Sequence, residues 1–323
     1  NGYYIDDPKL ALPVAAEIAR TGKALAFHIA PDAYEGVHPF RAANVARMFP
    51  EMPILMVHMG GTDKAMNGAV IEMAQGALAL SAAQLAVAVS GGVDSMTLAV
   101  VAHHTLGREA CMLHAVSPAV PEDATRRVLA YAKQEGWRLD MIDAQEFSDS
   151  KYLENPHDRC FYCKTNLYST IADLVDCVLV SGTNRDDLRD YRPGLQAAAM
   201  HGVRHPFVEA GMDKGDIRAL ARELLLHDLA AIPASPCLSS RVETGISIDP
   251  KVLGAIDRAE QIVRRELIPT TARCRVRRDA IVIELDDESI KELDNTRAST
   301  LRKQIADLLT AAGVNHPVSF QSY

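Results

Sequence analysis

Three short strings carry side chains that can do chemistry. The first, Ser90-Gly91-Gly92-Val93-Asp94-Ser95, interrupts the apolar run "VAVSGGVDSMTLAV" and sits where a strand should end and a helix begin. Glycines let backbone approach an anion closely, and the first amides of a helix point outward without intrahelical partners. Ser90 and Ser95 add hydroxyls, and Asp94 could hold a magnesium ion or cap the helix. The Lys-Ser/Thr ending of a Walker loop is missing, and a plain strand-to-helix turn would use the same glycines. The second string, "NPHDRCFYCK", places Cys160 and Cys163 just before an expected helix, and the third, "ASPCLSSR", supplies Cys237 from a loop bracketed by prolines. A C-x-x-C pair suits a zinc half-site, a redox couple or two ligands of an iron–sulfur cluster. With Cys237 the set becomes three thiolates, which leaves one iron of a [4Fe-4S] cluster open to an outside ligand. The same three could bind zinc together with a histidine or water. Cys111, Cys177 and Cys274 fall in apolar strand patterns and are expected to be small buried hydrophobes.

A fourth stretch, "VRRELIPTTARCRVRR", gathers arginines. On a strand Arg275 and Arg277 share one face, with Cys274, Val276 and Arg278 on the other. The planar guanidinium fork suits phosphate, although a charged strand edge also guards against aggregation.

The elements that must position these groups alternate. "LAVAVS", a helix after Ser95, "ACMLHAVS", "ATRRVLAYAKQEG", "RLDMID", a helix after Cys163 and "CVLVSGTN" read as strands separated by helical crossovers, which predicts a parallel sheet with its ligand at the strand C-termini. Beyond residue 245 follow a helix from Pro250 to Glu266, the strands "RCRVRR" and "AIVIEL", a helix from Thr296 to Ala312 and a short tail strand. The expected organisation is therefore α/β, with an N-terminal fragment over 1–75, a nucleotide-type sheet domain over 76–245 and a smaller α+β domain over 246–323. Hydrophobic residues make up 48% and charged residues 24% of 323 residues, as in ordinary globular proteins. A net charge of −8 argues against broad nucleic-acid binding. No apolar run is long enough to span a membrane. Six cysteines without a secretory leader read as reduced thiols in the cytoplasm, and a first residue other than Met suggests a piece of a longer product.

The complete S-G-G-x-D-S string resembles the pyrophosphate loop (PP-loop) of the adenine nucleotide alpha-hydrolase-like enzymes, which split ATP between its α and β phosphates and adenylate their substrates. In that setting "SGTNRDD", with Gly182, Thr183 and Asn184, looks like the second nucleotide-side segment. Together with "DKGDIRALAREL", "PCLSSR" and "RVR", the strings follow the order found in the LarE-type ATP-dependent sulfur transferases of lactate racemase cofactor synthesis, over roughly residues 80–315. The resemblance implies ATP and Mg2+, the latter on Asp94. It also implies a pyridinium mononucleotide substrate whose carboxylate is adenylated and then converted to a thiocarboxylate, on the way to a nickel-pincer nucleotide. One branch of that family sacrifices the sulfur of a single cysteine, at the position of Cys237. Another holds a [4Fe-4S] cluster on three cysteines, which Cys160, Cys163 and Cys237 match, and the cluster is the expectation here. Arg275 and Arg277 match the family's phosphate-binding pair. Arg241, with Ser239 or Ser240 beside Cys237, is expected to line the site. Glu260 falls near an acidic position linked to metal binding, although a helical glutamate is more often solvated. A homo-oligomer is also implied. Where the family usually shows a Trp-Asp-Lys-Pro-like run, this chain has Ala230-Ala231-Ile232-Pro233.

In residues 1–75, "ALAFHIA" and "FPEMPILMVHMGG" resemble consecutive strands of a metal-dependent amidohydrolase barrel, with His28 and His58 at its metal and catalytic positions. About 75 residues cannot close a barrel that needs about 200, so both histidines are expected to be structural. Competing readings of the whole chain are another adenylating enzyme, such as a transfer-RNA thiolase or an amide-forming ligase, and a non-catalytic iron–sulfur or zinc carrier.

Overall fold

In a computed structural model, the described residues are 85–323 except Asp190 and Ser235, together with the backbone of two short strands, β1 (Leu25–His28) and β2 (Ile54–Val57). These two pair in parallel, with Leu25 opposite Ile54. The side chain of His28, and His58 altogether, lie outside the described residues.

The main sheet is parallel and four-stranded. Its strands are β3 (Leu85–Ala88), β4 (Ala110–Ala115), β5 (Arg138–Ile142) and β6 (Val178–Ser181), in the spatial order β5-β4-β3-β6. Period-two alternation sorts their side chains between two cores. Leu85, Val87, Ala110 and Met112 pack with α1 (Val93–Leu106) on one face, whereas Ala86, Cys111, Leu113 and Leu179 pack with α3 (Arg159–Leu174) on the other. Ten of the fourteen α1 residues are buried, as expected of a helix apolar on all sides. By contrast α2 (Glu122–Glu135) is amphipathic, burying Ala124, Val128 and Tyr131. It stops at Gly136, whose φ of 70° is a left-handed cap that glycine tolerates best.

Two further helices of the main domain, α4 (Pro193–Met200) and α5 (Lys214–Glu223), follow β6. The smaller C-terminal domain is built on α6 (Pro250–Leu267) and a three-stranded sheet, with α7 (Asn295–Ala311) against it. Its strands are β7 (Ala272–Val276), β8 (Ile281–Leu285) and β9 (Val318–Ser322); β7 and β8 are antiparallel, and β8 and β9 parallel. The core of this domain also takes in Ala119, Tyr152, Leu238 and Val242 from earlier in the chain. A shared core of this kind fixes the segment after Cys237 against the smaller domain.

The structure amends the sequence reading in two places. The helix expected after Cys163 starts at Arg159, so both cysteines lie inside its first turns. Cys177 lies just ahead of β6 and is half-buried, while Cys111 and Cys274 are buried within strands as expected. No described helix is long and apolar enough to cross a membrane.

Candidate active site

The glycine turn joins the C-terminus of β3 to α1. Gly91 has φ +81°, and a Cβ there would stand 2.7 Å from the Ala124 carbonyl oxygen of α2. Only glycine allows that approach. The Arg127 Nη1 donates to the Gly91 carbonyl at 2.6 Å. Below the turn, buried His114 bridges the Val89 carbonyl (2.8 Å) and the Thr125 hydroxyl (2.9 Å), and burial holds its imidazole pKa below the usual value. Turn and α2 are thus clamped together at three points.

The two serine hydroxyls face each other at 3.0 Å. Ser95 Oγ also accepts from the Ser90 amide at 3.0 Å and donates to the Gly92 carbonyl at 3.2 Å. Asp94 does not cap the helix, one of the two roles its position allowed. Gly92 is the cap residue, with no side-chain cap bond, and one Asp94 carboxylate oxygen instead makes a very short contact with the Lys214 ammonium. The other oxygen, Oδ1, is buried and has no hydrogen-bond partner. An orphaned carboxylate oxygen beside a helix N-terminus fits a divalent cation.

Lys214 went unremarked at the sequence level. It opens α5 under a capping box of Asp213 and Asp216, and a cation in a first turn opposes the helix dipole. That mismatch was the available signal. The Lys214 amide also donates to Asp186 Oδ2 at 3.1 Å, in the loop that follows β6.

That loop packs directly on the glycine turn. A Cβ on Gly182 would lie 2.6 Å from the Ser95 amide nitrogen. Thr183 Oγ1 and His205 Nδ1 both bond Ser181 Oγ, at 3.0 and 2.9 Å, and buried Asn184 folds its own turn by accepting from the Asp186 amide at 2.9 Å. Gly182→Ala should therefore cost about 1–3 kcal/mol by overpacking, read as a lower Tm in thermal unfolding.

The three cysteines come from two distant segments that the fold brings into one region, near enough for the Cys237 charge to act on both Cys160 and Cys163. Cys160 is exposed, and Cys163 and Cys237 are half-buried. Burial pushes the Cys163 thiol up to about 12, with the Cys237, Glu146 and Cys160 charges adding to it against Lys164. Cys160 reaches the surface, yet desolvation by the protein packed around its thiol, followed by the Cys237 charge, raises it too. The Lys164 ammonium lies 5.7 Å from the Tyr168 ring centroid. Its pKa is raised first by Tyr168 and, against burial, by all three cysteines. Nothing in the sequence marked Lys164 beyond its place after Cys163.

The Cys237 loop is tied down on every side. The Leu238 amide donates to the Ala119 carbonyl beyond β4 at 2.8 Å, which puts the loop at the C-terminal edge of the main sheet, the edge that carries the glycine turn. Ser239 Oγ meets the buried Tyr152 hydroxyl at 2.6 Å. Upstream of α3, Asn155 accepts from Arg159 and donates through Nδ2 to the Glu243 and Ile246 carbonyls, both at 2.9 Å.

Arg241 is buried and donates to Glu260 at 2.8 Å and to the Pro236 carbonyl at 3.1 Å. Glu260, expected on a solvated helix face, is only 2% exposed; it also accepts from Arg264 at 2.7 Å and from the Cys274 amide at 3.0 Å. A buried charge must be paired, and here the pair anchors the Cys237 loop. Arg275 in β7 and Arg277 just past its end share one carboxylate, Glu284, at 2.6 and 3.5 Å.

As for a metal centre, the donor chemistry suits a thiophilic one: three thiols with a cation beside them. Among the described residues, no three His, Cys, Asp or Glu side chains are gathered closely enough to hold a metal ion. The fit is one of donor type rather than of closed spacing.

No protein-family model matches the chain. An uncharacterized protein of Synechocystis sp. is 37% identical over 210 residues, 64% of this chain and 78% of that protein. The pyridinium-3,5-bisthiocarboxylic acid mononucleotide synthase of Lactiplantibacillus plantarum is 30% identical over 212 residues, 64% of this chain and 76% of the synthase. An uncharacterized protein of Methanocaldococcus jannaschii is 26% identical over 224 residues, 68% and 84% of the two chains. On the extent of these matches, the chain belongs to the LarE-type family that includes the Lactiplantibacillus plantarum synthase.

Proposed function

We propose that this protein is an ATP-dependent sulfur transferase that converts a carboxylate of a pyridinium mononucleotide to a thiocarboxylate. The observation that carries the reading is the docking of the Cys237 loop on the sheet edge that carries the glycine turn, in the same region as Cys160 and Cys163. A carboxylate resists a sulfur nucleophile because oxide is a poor leaving group. Attack of its oxygen on the α-phosphorus of ATP gives an acyl-adenylate and pyrophosphate; attack of sulfur on the acyl carbon then expels AMP.

In this reading the outward amides of the α1 N-terminus and the Lys214 ammonium offset the charge that builds on pyrophosphate. Asp94, with its unpartnered oxygen, would hold Mg2+, which supplies further charge neutralisation there. Arg275 and Arg277 take the substrate phosphate, and Arg241 holds the Cys237 loop in place through Pro236. Cys160, Cys163 and Cys237 would hold a [4Fe-4S] cluster, which would supply sulfide as a nucleophile that can be replaced after each transfer. Lys164 places a positive charge where the sulfur must remain anionic. The test is release of AMP and pyrophosphate from ATP that depends on an added pyridinium carboxylate mononucleotide. Cleavage to ADP, or at the same rate without the carboxylate, would contradict the reading.

A further inference from the structure

The Cys237 loop and the arginine strand are joined by one side chain. Arg275 Nε donates to Glu284 Oε2 at 2.6 Å, while its Nη1 donates to the Ser240 carbonyl at 3.1 Å. Ser240 in turn closes the turn that carries the thiol: its amide and hydroxyl both donate to the Cys237 carbonyl, at 3.0 and 2.7 Å. Arg241 Nη1 adds a bond to Ser240 Oγ at 3.0 Å. A continuous path of hydrogen bonds therefore runs from the Glu284 carboxylate through one guanidinium to the backbone of Cys237. Arg277 reaches the same carboxylate without any such contact to the loop in its ion pair at 3.5 Å.

We propose that Arg275 is a positioning residue for Cys237, and that a phosphomonoester docking on the Arg275–Arg277 face orders the Cys237 loop through Ser240. This rests on the reading that the two arginines take the substrate phosphate. A guanidinium carries five N–H groups in a rigid plane, so a phosphate can join the carboxylate and the carbonyl on the same side chain. The Arg275 side chain is 28% exposed, open enough to be reached. Adding a third acceptor narrows the orientations open to the guanidinium, and the Ser240 carbonyl is held with it. The consequence is order of events: the sulfur-bearing loop settles once the mononucleotide is seated. Lysine keeps the charge but offers a single point donor, so it cannot hold the three acceptors in one plane.

The experiment follows alkylation of Cys237 and Cys160 by iodoacetamide in the full chain with its cysteines free, resolved by peptide mass spectrometry, with nicotinic acid mononucleotide as the probe. Its binding is measured separately by calorimetry on each variant, so that every rate is taken at saturation. Bound probe should slow Cys237 alkylation about three- to tenfold in the wild type and leave Cys160 within twofold. Arg275→Lys should lose that protection at saturation, and Arg277→Lys should keep it while binding the probe more weakly. Equal Cys237 rates with and without bound probe, or full protection in Arg275→Lys, overturns the coupling alone. Failure of the wild type to bind the probe or inorganic phosphate at millimolar concentration removes the phosphate site itself, and the coupling with it.

Discussion

Asp94→Asn should reduce carboxylate-dependent pyrophosphate release at least about 100-fold, the scale of losing a group aimed at developing charge. The carboxylate sits in the first turn of α1, with one oxygen on Lys214 and the other buried and unpartnered. An amide presents one neutral oxygen where a carboxylate presents two charged ones, so both the cation and the lysine lose their counter-charge. The fold should survive. The Asp94–Lys214 pair is partly exposed, at 23% and 34%, and pairs of that kind contribute about 1 kcal/mol or less to stability. A variant with an unchanged Tm and lost pyrophosphate release places Asp94 in the chemistry. Full activity would remove it from the adenylation step.

Cys237→Ala should leave adenylation in place and stop sulfur transfer. The loop around it is fixed by the Leu238–Ala119, Arg241–Pro236 and Arg275–Ser240 bonds, none of which uses the Cys237 side chain. Its loss therefore removes a thiol without loosening the turn. Pyrophosphate release should stay within about threefold of wild type, while thiocarboxylate falls below detection. The intact mass of the wild-type chain after turnover separates the two routes of sulfur. An unchanged mass accompanies a rechargeable carrier, and loss of one sulfur atom at Cys237 accompanies sacrifice of the cysteine. Thiocarboxylate formed at the wild-type rate by Cys237→Ala would exclude this residue from both.

The parts of this arrangement that were legible in the sequence are those set by neighbours along the chain. The run from Leu85 to Ala88, the break at Ser90 and the resumption at Val93 read directly as strand, turn and helix. The C-terminal alternation placed Cys274, Val276 and Arg278 on one face and Arg275 and Arg277 on the other; the burial pattern of β7 agrees as far as Val276, where the strand ends, and Arg278 is exposed beyond it. What stayed hidden depends on partners that only folding brings together. Lys214 meets Asp94 from 120 residues away. Glu260 looked like a solvated helical glutamate because the guanidinium that buries it, Arg241, arrives from a separate loop. Lys164 has Tyr168 and Cys163 as its nearer influences, but the Cys237 charge that also acts on it comes from more than seventy positions later in the sequence. The start of α3 at Arg159 is signalled by Asp158, a residue type favoured before a helix, but the two cysteines read as loop residues ahead of it.

The most direct test of the account is the sulfur balance of a single reaction: ATP, a pyridinium carboxylate mononucleotide and the anaerobically purified chain, with AMP and product quantified together by mass spectrometry. The account predicts thiocarboxylated product in step with AMP. AMP formed with a product that gains no sulfur, in protein whose three cysteines are intact, would contradict it.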